Sequence, residues 1–107
     1  MDKKNIFEEL NKLVNKIKQQ FITEDIILFG SYAHGNPTEN SDIDLCIIIG
    51  KNNLRKIEIL KEIRRSLIKI TTKSIDILVY DKDEFMERSA LKSTFEYKIK
   101  NEGVKVG

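Results

Sequence analysis

Residues 26–50 read IILFGSYAHGNPTENSDIDLCIIIG: two short apolar runs with a polar stretch between them. Ile26-Ile27-Leu28-Phe29 stops at Gly30, and Ile43 to Ile49 stops at Gly50. Runs of that length, rich in β-branched residues and lacking polar alternation, predict strands buried on both faces. From Ser31 to Ser41 the composition turns to Gly, Asn, Pro, Thr and Ser, which is loop chemistry. The stretch is long enough for a crossover or for an irregular active-site loop, so the strand directions stay open.

Outward from this centre the apolar spacing changes to that of helices. Ile6, Leu10, Leu13 and Ile17, with Phe7, Val14 and Phe21 beside them, lay one apolar stripe along residues 2–21. Downstream, Asn52 or Asn53 can cap a helix whose stripe is Ile57, Leu60, Ile63 and Leu67. Ile75 to Tyr80 predicts a third strand. Asp81 with Glu84 resembles a capping box opening a last helix, with Leu91, Phe95 and Ile99 on one stripe and Asn101 and Gly103 at its end. Strands without a polar face, alternating with helices, imply an α/β domain with a small sheet of about three strands covered by helices.

At 107 residues the chain suits one domain, expected to span 1–107, with room for one modest core. Its charged residues number 19 basic and 17 acidic, a balance of +2, which excludes the broad positive coat of a non-specific nucleic-acid binder. No direct nucleic-acid contact is expected. One Cys and one His cannot build a Cys/His zinc site, and Cys46 reads as a small core residue. No apolar run approaches the length of a membrane span and no leader pattern opens the chain, so the expectation is a cytoplasmic protein without a membrane partner.

Three carboxylates are out of place in these strands. Asp42 and Asp44 open the second strand and, two apart, share a face, while Asp76 sits in the third between Ile75 and Ile77. Like charges held close repel, and burying them without a partner is costly. A divalent cation is the simplest common solution, and a set of carboxylate oxygens favours Mg²⁺ or Mn²⁺ over Zn²⁺. Each Asp alone has an ordinary explanation as a turn, edge or ion-paired residue; three together are harder to explain so.

Gly30-Ser31 follows the first strand directly. A strand ending in Gly-Ser and entering a helical turn offers backbone N–H groups and a hydroxyl to a phosphate. Alone the dipeptide says little. Ten residues then separate it from Asp42-Ile43-Asp44, and the four-residue pattern at that spacing arises by chance in a chain of this size roughly once in a thousand.

Gly30-Ser31-Tyr32-Ala33-His34-Gly35 followed by Ser41-Asp42-Ile43-Asp44-Leu45 resembles the signature of the DNA polymerase β-like nucleotidyltransferase superfamily, and the short chain most resembles its minimal nucleotidyltransferase group. The resemblance implies a small mixed sheet of the polymerase β palm type, ATP as substrate and two Mg²⁺ ions. It implies that Asp42, Asp44 and Asp76 hold the metals and carry catalysis, and that Gly30 and Ser31 bind the triphosphate. His34 stands where many minimal members have Arg, and is a further candidate for nucleotide binding. An always-charged fork that grips phosphate is thereby replaced by a titratable ring.

Members of this superfamily that modify antibiotics or RNA ends carry extra domains that grip the acceptor, and this chain is too short to hold one. Small members are typically antitoxins that adenylylate a tyrosine of a helical HEPN-type ribonuclease toxin. The leading expectation is therefore AMP transfer from ATP to such a partner. The alternatives are neutralisation by binding alone, and transfer to a small molecule or RNA end with a partner subunit completing the pocket.

Overall fold

A computed structural model describes residues 3–107 apart from 36, 39, 51–53 and 72. Along the chain come α1 (Lys3–Gln20), β1 (Thr23–Phe29), α2 (Ser31–His34), β2 (Ile43–Ile49) and α3 (Lys56–Leu67). They are followed by β3 (Ile75–Asp81), α4 (Lys82–Ser89), α5 (Phe95–Glu102) and β4 (Val104–Lys105). The sheet has the order β3-β2-β1-β4. β1 and β2 are antiparallel, so the polar loop between them is a return rather than a crossover, and α2 is a single turn within it. β2 and β3 are parallel, with α3 as the connection. β4 lies antiparallel on the far edge of β1, pairing at Ile27 and Leu28. The sheet is mixed, and its four strands exceed the expected three because a two-residue strand leaves no periodic trace in sequence.

Strand alternation divides the core in two. Ile26 and Leu28, the odd-numbered residues of β2, and Ile77 and Val79 meet Leu13 and Ile17 of α1 and Ile59, Ile63 and Leu67 of α3. On the opposite face Ile27, Cys46, Ile48 and Tyr80 meet Phe85 of α4 and Ile99 of α5. β2 is the spine of both layers: every residue of it except Asp44 is buried. Each such aliphatic side chain contributes about 1.5–3 kcal/mol by leaving water. Cys46 takes the small-core role expected of it.

Two helices depart from the expected pattern. In α3 the buried stripe is Ile59, Ile63 and Leu67, with Ile57 54% exposed. This helix begins at Lys56, where the Arg55 backbone N–H donates to Glu58 Oε2 at 3.3 Å. The expected caps Asn52 and Asn53 lie outside the described residues. The expected last helix is two helices. Asp81 does cap the first, accepting from the Glu84 backbone N–H at 2.7 Å. The second starts afresh at Thr94, whose hydroxyl oxygen accepts from the Tyr97 N–H at 3.1 Å and lies 2.8 Å from the Leu91 carbonyl. This break turns Leu91 and Phe95 out to 59% and 53% exposure and leaves Ile99 as the buried anchor. Gly103 ends α5, its N–H donating to the Ile99 carbonyl at 2.9 Å. A β-carbon there would come within 2.5 Å of Ile27 and of that carbonyl, so its absence lets the helix end settle on β1. Among the described residues no helix is long and apolar enough to cross a membrane.

Candidate active site

Sheet register assembles the acidic residues. Phe29 on β1, Asp44 on β2 and Asp76 on β3 are lateral partners and form one row across three strands. Alternation places Asp44 on the face shared with Cys46 and Ile48, the face covered by α4 and α5. Ile43 points the other way into the main core. The row lies where β2 and β3 begin and β1 ends. Asp44 is half-buried, while Asp42, just ahead of β2, and Asp76 are exposed.

The electrostatics show how closely these groups are held. Asp44 is pushed up from 3.8 to about 6, first by burial, then by the negative charges of Asp76 and Asp42, and then by a side-chain hydrogen bond with Asp76. For the protonated carboxyl to be favoured, Asp44 donates that bond and Asp76 accepts it. The structure thus brings Asp44 and Asp76 into contact and leaves Asp42 within electrostatic reach. Among the described residues no three His, Cys, Asp or Glu side chains converge to hold a metal ion unaided. The Asp44–Asp76 pair nevertheless suits a hard divalent cation. Two carboxylates whose negative charges are held this close can be bridged by a cation, with water or substrate oxygens filling the remaining positions.

Gly30 makes room for this pair. It adopts φ 76°, a conformation that L side chains rarely take, and a β-carbon on it would collide with Asp44 Oδ2. Its carbonyl accepts from the Ala33 and His34 N–H groups, both at 3.1 Å, which turns the chain into α2. Gly35 closes that turn with φ 78°. Tyr32 and Ala33 anchor the turn on the main core. Ser31 and His34 are exposed.

A pocket of about 410 Å³ opens beside this turn. Phe29, Gly30, Ser31 and His34 form one wall, and Phe95, Lys98, Ile99, Glu102 and Gly103 from α5 and its end form the other. The walls touch through Phe29 and Phe95, whose rings meet edge to face with centroids 5.6 Å apart. All three substrate-binding candidates from the sequence, Gly30, Ser31 and His34, line this pocket; the three Asp residues do not. The α5 wall was missed. Phe95 was assigned to the core by its spacing, and nothing local ties it to a loop more than sixty residues earlier.

The fold thus sets an acidic pair beside a Gly-Ser turn on a small mixed sheet. Residues 10–101 match the Nucleotidyltransferase domain family, and the chain belongs to it. It is 31% identical over 104 residues to a Methanocaldococcus jannaschii protein named "Putative protein adenylyltransferase", covering 94% of this chain and 95% of the relative. A second protein of that organism with the same designation is 36% identical over 73 residues, which are 68% of this chain and 73% of the relative. The fold is similar to that of a crystal structure titled as a putative nucleotidyltransferase from Sulfolobus solfataricus. The TM-score is 0.59 at 17% identity, over 92% of this chain and 76% of the other.

Proposed function

We propose that the protein is a Mg²⁺-dependent protein adenylyltransferase that moves AMP from ATP onto a tyrosine hydroxyl of a helical HEPN-type ribonuclease toxin, and so acts as the antitoxin of the pair. The observation that carries this reading is Asp44: packed against Gly30, hydrogen-bonded to Asp76 and within the field of Asp42. That is a carboxylate pair set directly behind the Gly30 turn, whose other side lines the 410 Å³ pocket. The names of the relatives favour a protein acceptor.

In this reading Asp42 and Asp44 hold the two Mg²⁺ ions, with Asp76 completing the site. Bound there, the ions would stabilise charge on the entering and leaving oxygens. Asp76, the exposed member of the pair, takes the proton of the attacking hydroxyl. Gly30 lets the chain approach the triphosphate closely, Ser31 donates its hydroxyl to it, and His34 adds an imidazole at the same rim. The acceptor approaches from the exposed Asp76 side.

The experiment is to incubate the protein with a HEPN-type partner and Mg-ATP and weigh the partner. One added AMP with the wild type, absent with Asp44→Ala, is the expected result. No mass gain with the wild type refutes the reading, as does an equal gain with Asp44→Ala. Neutralisation retained by Asp42→Ala combined with Asp76→Ala would show that binding alone suffices.

A further inference from the structure

Nucleotidyl transfer at the carboxylates leaves the α5 wall of the pocket without a role. Displacement at phosphorus places the entering and leaving oxygens roughly in line, on opposite sides. With the attacking hydroxyl at Asp76 on β3 and the α-phosphorus at Asp44 on β2, the leaving group points onward past Gly30 at the end of β1. The row Asp76, Asp44, Phe29 runs in that direction across the sheet. The space that opens there is the 410 Å³ pocket, and Lys98 is the only Lys or Arg among its described lining residues. Lys98 is exposed and makes no ion pair among the described residues. Its ammonium is a compact charge on a flexible stem, able to follow a phosphate group. Glu102, one turn further along the same wall, carries the opposite charge. The wall therefore has little net potential at a distance, and Lys98 acts by contact.

We infer that Lys98 binds the β- and γ-phosphates of the nucleotide and neutralises the pyrophosphate as it leaves. The inference rests on the proposed nucleotidyl transfer. In that step a bond forms from the acceptor oxygen to the α-phosphorus, and the bond from that phosphorus to the oxygen bridging the β-phosphate breaks. The acceptor proton passes to Asp76, the electron pair departs with the pyrophosphate, and Lys98 takes no part in the proton transfer. Nothing is oxidised or reduced.

Calorimetric binding of inorganic pyrophosphate, ATP and AMP in Mg²⁺ buffer tests this on the wild type, Lys98→Ala, Lys98→Arg and Lys100→Ala. Lys100→Ala removes the same charge from the same helix at a position lining a different pocket. Loss of a charged hydrogen bond should weaken pyrophosphate and ATP binding about tenfold or more in Lys98→Ala. AMP binding in that variant, and all three ligands in Lys100→Ala, should stay within about twofold. Lys98→Arg should keep most of the affinity. Unchanged pyrophosphate and ATP affinity in Lys98→Ala overturns the inference, as does an AMP loss as large as that of ATP or an equal loss in Lys100→Ala. A wild type that binds neither pyrophosphate nor ATP overturns it together with the proposed function. If the expected affinities hold but no protein receives AMP, only the proposed acceptor falls.

Discussion

Asp44 occupies the space that a β-carbon on Gly30 would need. The turn that begins the 410 Å³ pocket and the carboxylate paired with Asp76 are therefore one fitted unit.

Gly30→Ala should be costly twice over. The φ of 76° strains any L residue, and the added methyl meets Asp44 Oδ2. A loss of about 1–3 kcal/mol in urea unfolding is expected, with AMP transfer abolished. Gly35→Ala shares the positive φ, but its β-carbon would meet nothing within 4 Å. It should lose about 1–2 kcal/mol through the backbone alone and keep far more activity. Equal activity in the two variants would break the link between Gly30 and Asp44.

The crowding of Asp44 gives a pH signature. Asp44 lies at 3.8 ordinarily and at about 6 in the fold, so between those values the folded chain holds a proton that the unfolded chain has released. The Asp44 contribution to stability is fully present below the lower value and is lost as pH rises through the upper one. In metal-free buffer, the thermal midpoint of Asp44→Asn relative to wild type should therefore climb as pH is raised across this window. A difference that stays flat would contradict the crowding of the three carboxylates.

Cys46 should be chemically silent. Burial, followed by the charge of Glu96, pushes its thiol up to about 12, and the reactive species is the thiolate. A thiol reagent should modify it only as fast as the chain opens, so labelling should follow the unfolding rate across a denaturant series. Fast labelling under native conditions would disprove this.

Ile99 and Phe95 should separate stability from pocket shape. Ile99 is 2% exposed and fastens α5 to the sheet, so Ile99→Ala should cost about 2–5 kcal/mol in equilibrium unfolding. Phe95 is half-exposed, and its main ring contact is the edge of Phe29. Phe95→Ala should cost no more than about 1.5 kcal/mol.

Much of this was legible beforehand because it is local. β2 reads off the sequence from Ile43 to Ile49, since a strand buried on both faces is a continuous apolar run. Asp42, Asp44 and Asp76 could be singled out as carboxylates in or beside apolar strand runs, and Gly30 and Ser31 by their ten-residue spacing from Asp42-Ile43-Asp44. β1 begins at Thr23, earlier than its apolar run, because Thr23 to Asp25 are polar and the register shifts there. The break between α4 and α5 was hidden because Leu91, Phe95 and Ile99 keep helical spacing across it; Thr94, a good capping residue, was the available clue. Lys98 could not be found by pattern. Its proximity to Ser31 comes from docking α5 on β1, a contact distant in sequence and marked by no periodicity.

The register that aligns Asp76, Asp44 and Phe29 has a consequence for preparations of the protein. Shifting β2 by one residue against a neighbour would send Asp44 to the side of α1 and α3 and present Ile43 or Leu45 in its place. With the role proposed for Asp44, a mispaired sheet would be no weaker catalyst; it would be none at all. Specific activity therefore counts correctly paired chains, and turnover can monitor refolding where circular dichroism would score both populations alike.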